Sequence, residues 1–174
     1  TLARRYILRW IYSHIDKAFY VGQANKEYFL KHGLTKDKLV YAPHAVNNDH
    51  FYDSPIKSYE DKALQWRKEL GIPHESITVV FAGKFEPKKQ PDILVSAIIE
   101  ANKLRKKPLR LVLIGNGPME EELKNKALKN EFISILPFQN QSKMPIVYRL
   151  ASIFCLPSKG PGETWGLAVN EAMA

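Results

Sequence analysis

Residues 76–118 read SITVVFAGKFEPKKQPDILVSAIIEANKLRKKPLRLVLIGNGP, one complete strand–helix–strand unit. The segment 76–83 is almost continuously apolar instead of alternating, as expected of a strand covered on both faces. Pro91 opens the helical segment 91–104, where its fixed φ suits the first turn and its missing N–H costs nothing. Residues 108–117 form a second buried strand. Two buried strands joined by a helix imply parallel pairing, because a parallel return needs a crossover.

The alternation continues downstream. Residues 118–129 form a helix with acids first and lysines last, which suits the helix dipole. A strand at 131–138, a helix at 142–151, a strand at 152–158 and a helix opening at 166 follow. The expected fold is α/β, a Rossmann-like parallel sheet with helices on both faces. Upstream, a helix at 59–70 ends at Gly71. Residues 43–60 are rich in Asn, Asp, Ser and Pro and hold no period, so they read as a linker. Before it lie a helix (1–13), a short strand (17–21), a helix (23–33) stopped by Gly33, and a strand (38–43). The apolar stripe of helix 1–13 is expected to pack into the domain that this segment belongs to, with a membrane-surface role for that helix and its arginines as the alternative.

Composition narrows the function. Apolar residues make up 45% of 174, which excludes disorder. No apolar run approaches the roughly 18–20 residues of a membrane span. The chain does not start with Met, so it reads as an internal fragment. The single Cys155 allows no internal disulfide, reads as a small core residue and suits a cytoplasmic setting. Twenty-six Lys and Arg against 18 Asp and Glu give +8, a balance that favours anionic partners. No HExxH or zinc-finger spacing, P-loop, Asp-x-Asp pair or G-x-S-x-G elbow occurs.

Ligands of parallel sheets bind where strands end at their carboxyl side. The first such loop, GKFEPKKQ, puts Lys84, Lys88 and Lys89 behind Gly83, enough charge to focus on a phosphate or to form a solvated cluster. GNGP (115–118) starts like a dinucleotide fingerprint but has Glu120 where the third glycine belongs, and reads as a tight turn. The last loop, PSKGPGETWG, leads into a helix N-terminus whose free N–H groups suit an anion. Glu163 and Glu171 flank that N-terminus, eight positions apart. Read singly, Glu163 is a helix-end charge and Glu171 an exposed helix acid. Read as a pair, they suit either sugar and ribose hydroxyls or the two carboxylates of a glycoside hydrolase. A basic nucleic-acid-binding module is a third class that the charge allows, without aromatic interleaving or a motif.

In this order, AGKFEPKKQPDIL, LVLIGNGP, LASIFCLPS and GETWGLAVNEAMA resemble the retaining glycosyltransferases of family 4, which have the two-domain GT-B fold. The last segment matches the family's Glu-x7-Glu signature, and KLVYAPHAVNNDHF resembles its interdomain segment. The resemblance implies that residues 1–42 end an N-terminal acceptor domain. It implies that 43–75 are linker and lead-in helix, and that 76–174 are a nucleotide-sugar-binding domain, incomplete and inactive alone. Lys84 and Lys89 would meet the donor's diphosphate as the leaving group forms, with Gly83 and Gly115 letting the backbone approach the donor. Trp165, Gly166 and Leu167 would offer amides, Glu163 would hold the donor sugar, Glu171 the ribose, and PFQNQ (137–141) would lie near the base. The implied donor is a UDP- or GDP-sugar, with no metal or other cofactor. The implied acceptor is a glycan or lipid-linked sugar, not nucleic acid, at the cytoplasmic face of the membrane or in the cytoplasm. Two positions depart from the pattern: Lys84 replaces the usual arginine, and Gln90 replaces a usual glycine.

Overall fold

The structure, a computed structural model, describes residues 2–160 and 165–174. It divides into two compact units, Thr1–Ala45 and Val46–Ala174. Among the described residues no helix is long and apolar enough to cross a membrane.

The first unit holds α1 (Leu2–Ser13), β1 (Ala18–Tyr20), α2 (Gln23–Lys31) and β2 (Leu39–Tyr41). β1 and β2 pair in parallel, Ala18 opposite Leu39. Gly33 ends α2 as expected: at φ +104° its N–H reaches Leu30 O while Leu34 N–H reaches Phe29 O, which closes the last carbonyls. Within this unit the stripe of α1 is exposed. Leu2, Tyr6 and Trp10 are each at least 68% exposed, whereas Leu8 and Tyr12 on the other side are half-buried. The partners on α2 explain the choice of face, because the Phe29 ring meets Tyr12 edge-on and Tyr28 Oη accepts from Arg4.

The second unit runs α3 (Asn48–Phe51), α4 (Tyr59–Glu69), β3 (Thr78–Ala82), α5 (Pro91–Lys103), β4 (Arg110–Ile114), α6 (Glu120–Ala127), β5 (Ile133–Leu136), α7 (Met144–Arg149), β6 (Ile153–Phe154) and α8 (Leu167–Met173). The sheet order is β5-β4-β3-β6 and every pair is parallel. Side chains alternate across β3 and β4, which splits the core in two. Val79, Phe81, Leu111 and Leu113 pack with Leu94, Val95 and Ile98 of α5 and Leu123 of α6. Val80, Ala82, Val112 and Ile114 pack with Ala63 of α4 and Val147 of α7 on the opposite face. Val80, Phe81, Leu111 and Leu113 are fully buried, each stabilising the fold by roughly 1.5–3 kcal/mol.

Buried Arg67 fastens α4 to this frame. Its guanidinium donates to Leu150 O at 2.8 Å behind α7 and to Ser76 O at 2.9 Å ahead of β3. Part of the stretch expected as linker is also built into this unit. Asn47 caps α3 by accepting from His50 N–H, and Phe51 is buried against the Tyr148 ring. One helical turn is too short to register as a period, so only Phe51 could have betrayed it. The strand expected over 152–158 pairs only at Ile153 and Phe154, with one further bond from Cys155 N–H to Val80 O.

From β3 the chain steps outward to β4 and β5, then returns to place β6 on the far side of β3. The direction of winding reverses between β3 and β6, and such a reversal is where parallel sheets of this kind bind ligands at the carboxyl ends of their strands.

Candidate functional site

A cavity of about 580 Å³ lies at the carboxyl ends of the strands. Gly83 and Lys84 line it after β3, Asn116 after β4 and Phe138–Gln141 after β5, with Tyr148 of α7 and Glu171 of α8. Its size suits a small-molecule ligand.

The loops after β3 and β4 are laced together. Phe85 N–H donates to Asn116 O at 2.8 Å and Met119 N–H to Phe85 O at 3.1 Å. The backbones come so close that a Cβ on Gly115 would stand 1.9 Å from Gly83 O, and one on Gly117 2.6 Å from Phe85 O. GNGP is thus the tight turn expected, and its glycines serve the approach of one loop to the other. Gly115 does not line the cavity, while its neighbour Asn116 does.

The lysine-rich loop carries less free charge than its lysines suggest. Glu86 lies between them, 3.9 Å from Lys84 Nζ and 3.2 Å from Lys88 Nζ. Lys84 is 74% exposed and its contact with Glu86 is long, so the pair is worth little and the ammonium is easily redirected to an anion. Lys89 ends the turn Pro87–Lys89, outside the cavity lining.

Glu171 stands in the cavity wall with its carboxylate already oriented. Oε2 accepts from Tyr148 Oη at 2.6 Å and Oε1 from Gln141 Nε2 at 3.0 Å. Burial, then the bond to Glu171, pushes the Tyr148 phenol well above its ordinary range, so it stays a donor at neutral pH. Ala168 and Glu171, three residues apart on α8, face the cavity together. Trp165, Gly166 and Leu167 precede or begin α8 outside the lining, with Gly166 at φ +75°. Glu163 lies outside the described residues.

The structure therefore brings Gly83, Lys84 and Glu171 to one cavity and leaves Lys89, Gly115, Trp165, Gly166 and Leu167 off its wall. Sequence reasoning missed Tyr148, and it read Asn116 only as part of a tight turn. No motif marks Tyr148, which reads as one more apolar position of a short helix. Half-buried Cys155 has its thiol pushed up by burial, in keeping with an inert core residue.

The family model described as glycosyl transferases group 1 matches residues 63–174. The D-inositol 3-phosphate glycosyltransferase of Segniliparus rotundus is 34% identical over 122 residues, 66% of this chain and 26% of that protein. The enzyme of the same name from Xylanimonas cellulosilytica is 27% identical over 150 residues, 82% and 34% of the two chains. Among solved structures, Anabaena HepE in complex with UDP superimposes with a TM-score of 0.76 at 17% identity, over 97% of this chain and 46% of that one. A glycosyltransferase from Rickettsia africae gives 0.73 at 20% identity, over 95% and 45%. These structural likenesses are likenesses of fold. The chain spans about a quarter to a third of the length of those curated relatives and under half of those structures.

Proposed function

The chain belongs to the glycosyl transferases group 1, and from that premise we propose that its second unit holds the nucleotide-sugar donor of a retaining, hexosyl-type glycosyl transfer. The fold is the Rossmann-like α/β unit of GT-B glycosyltransferases. The observation that carries the reading is the Glu171 carboxylate, presented by two donors on a cavity wall shared with Lys84. A carboxylate so placed accepts both hydroxyls of a ribose, and an ammonium one loop away meets the diphosphate.

In this reading Lys84 and Lys89 stabilise the charge that builds on the departing diphosphate. Amides at Trp165, Gly166 and Leu167 add to them, and Glu163 holds hydroxyls of the donor sugar. The loop Phe138–Gln141 receives the base, and Gly83 and Gly115 keep the loop backbones close. Uridine is the base to try first, since Anabaena HepE is described with UDP and with UDP-glucose; GDP-sugars come second. The acceptor is a glycan or a lipid-linked sugar, met in the cytoplasm or at the cytoplasmic face of the membrane. Residues 1–42 supply the end of an acceptor-side domain. Family membership does not favour the hydrolase or nucleic-acid alternatives.

Titration calorimetry with UDP-glucose and GDP-mannose tests the binding step. Glu171→Gln removes the charge that accepts the diol, and Lys84→Ala removes a phosphate partner. Each is expected to weaken the preferred donor roughly tenfold or more. Wild-type affinity in both variants would overturn the assignment.

A further inference from the structure

The donor reading assigns the ribose to Glu171 and leaves open what aims that carboxylate. We infer that Tyr148 is a positioning residue for ribose recognition, acting through Glu171 together with Gln141; the inference rests on the donor reading. An ionised carboxylate offers about four acceptor sites, two per oxygen. Tyr148 takes one on Oε2 and Gln141 one on Oε1. Each oxygen keeps capacity for one more donor, and two neighbouring hydroxyls require one acceptor on each oxygen. The two protein donors therefore fix the rotation of the carboxylate about its last bond and remove the entropy cost of ordering it when ribose arrives.

The donors are themselves braced. The Tyr148 side chain is buried, with Phe154 edge-on at 5.1 Å and Phe51 at 5.9 Å between ring centroids. Gln141 O accepts from His50 Nε2 at 3.0 Å, which anchors the loop that carries the amide. His50 and Phe51 are neighbours on α3, so one turn at the start of the second unit supports both partners of Glu171. That arrangement gives the apolar side of the turn and its polar side a shared task, and it explains why a phenol stands where Phe would pack equally well.

The test measures affinities of the 174-residue chain for UDP and 2′-deoxy-UDP, repeated with GDP and 2′-deoxy-GDP, for wild type and Tyr148→Phe. Tyr148→Phe removes the hydroxyl and keeps the ring, and deoxynucleotide affinity reports whether the site remains folded. The expected result is a wild-type preference for the ribonucleotide that falls roughly fivefold to tenfold in Tyr148→Phe, with deoxynucleotide affinity unchanged. An unchanged ribo-to-deoxy ratio overturns the role of Tyr148 and leaves the donor reading intact. Equal losses for both nucleotides show a packing role only and also overturn it. Failure of the wild type to bind any of the four overturns the donor reading, and this inference with it.

Discussion

Gln90 joins the turn at Pro87–Lys89 to α5 with φ +53° and ψ +42°, a left-handed conformation that side chains resist. This is the position where the resembling family carries glycine, and the structure supplies the physical reason for that glycine. Gln90→Gly is expected to raise stability by about 1 kcal/mol, the relief of strain exceeding the extra freedom glycine has when unfolded. Urea unfolding reads the change; a loss of stability would mean that the glutamine side chain holds the loop. The glycines after β4 show the limits of reading residues alone. Gly115 and Gly117 are visible in sequence as turn formers, but the cause, a carbonyl of another loop at van der Waals distance, is a tertiary fact. Tyr148 is hidden for the same reason, since its partner lies 23 positions away.

The start of α4 shows how an element can be found without its cap being found. Ser58 precedes the helix and has the right chemistry for a cap, yet its hydroxyl donates back to Pro55 O. The capping group is Asp53, which accepts from Tyr59 N–H at 2.8 Å and Glu60 N–H at 2.9 Å. Those backbone donors hold the Asp53 carboxyl below its ordinary range. A depressed folded value means that the cap's stabilisation is complete above the unfolded carboxylate range near pH 4 and is lost as pH falls through the folded value. Melting temperatures of wild type and Asp53→Asn are thus expected to differ most near neutrality and to converge in acid. A gap that stays constant down to pH 3 would contradict the role of the charge. The strand–helix alternation of the second unit was legible because each element buries one continuous face. α3 and the face chosen by α1 were not, since a single turn has no period and an amphipathic stripe does not name its partner.

Taken together, the second unit is a three-layer sandwich whose winding reverses between β3 and β6, and the cavity lies at the carboxyl ends of β3, β4 and β5, with α7 and α8 in its wall. The net charge of +8 does not itself mark the site. Arg105, Lys106, Lys107 and Arg110 gather around the amino-terminal end of β4, away from the cavity. Charge counting from sequence could not separate this cluster from the lysines after β3, because both are short basic runs beside a strand. Their separation by the length of the sheet makes a direct test possible. Amide chemical-shift mapping of the isotope-labelled chain titrated with UDP-glucose and GDP-mannose locates any bound donor. The account predicts shifts at Gly83–Lys84, Asn116, Phe138–Gln141 and Ala168–Glu171, with the region around Arg105–Arg110 unmoved. Shifts centred on the basic cluster, or none at saturating donor, would contradict it.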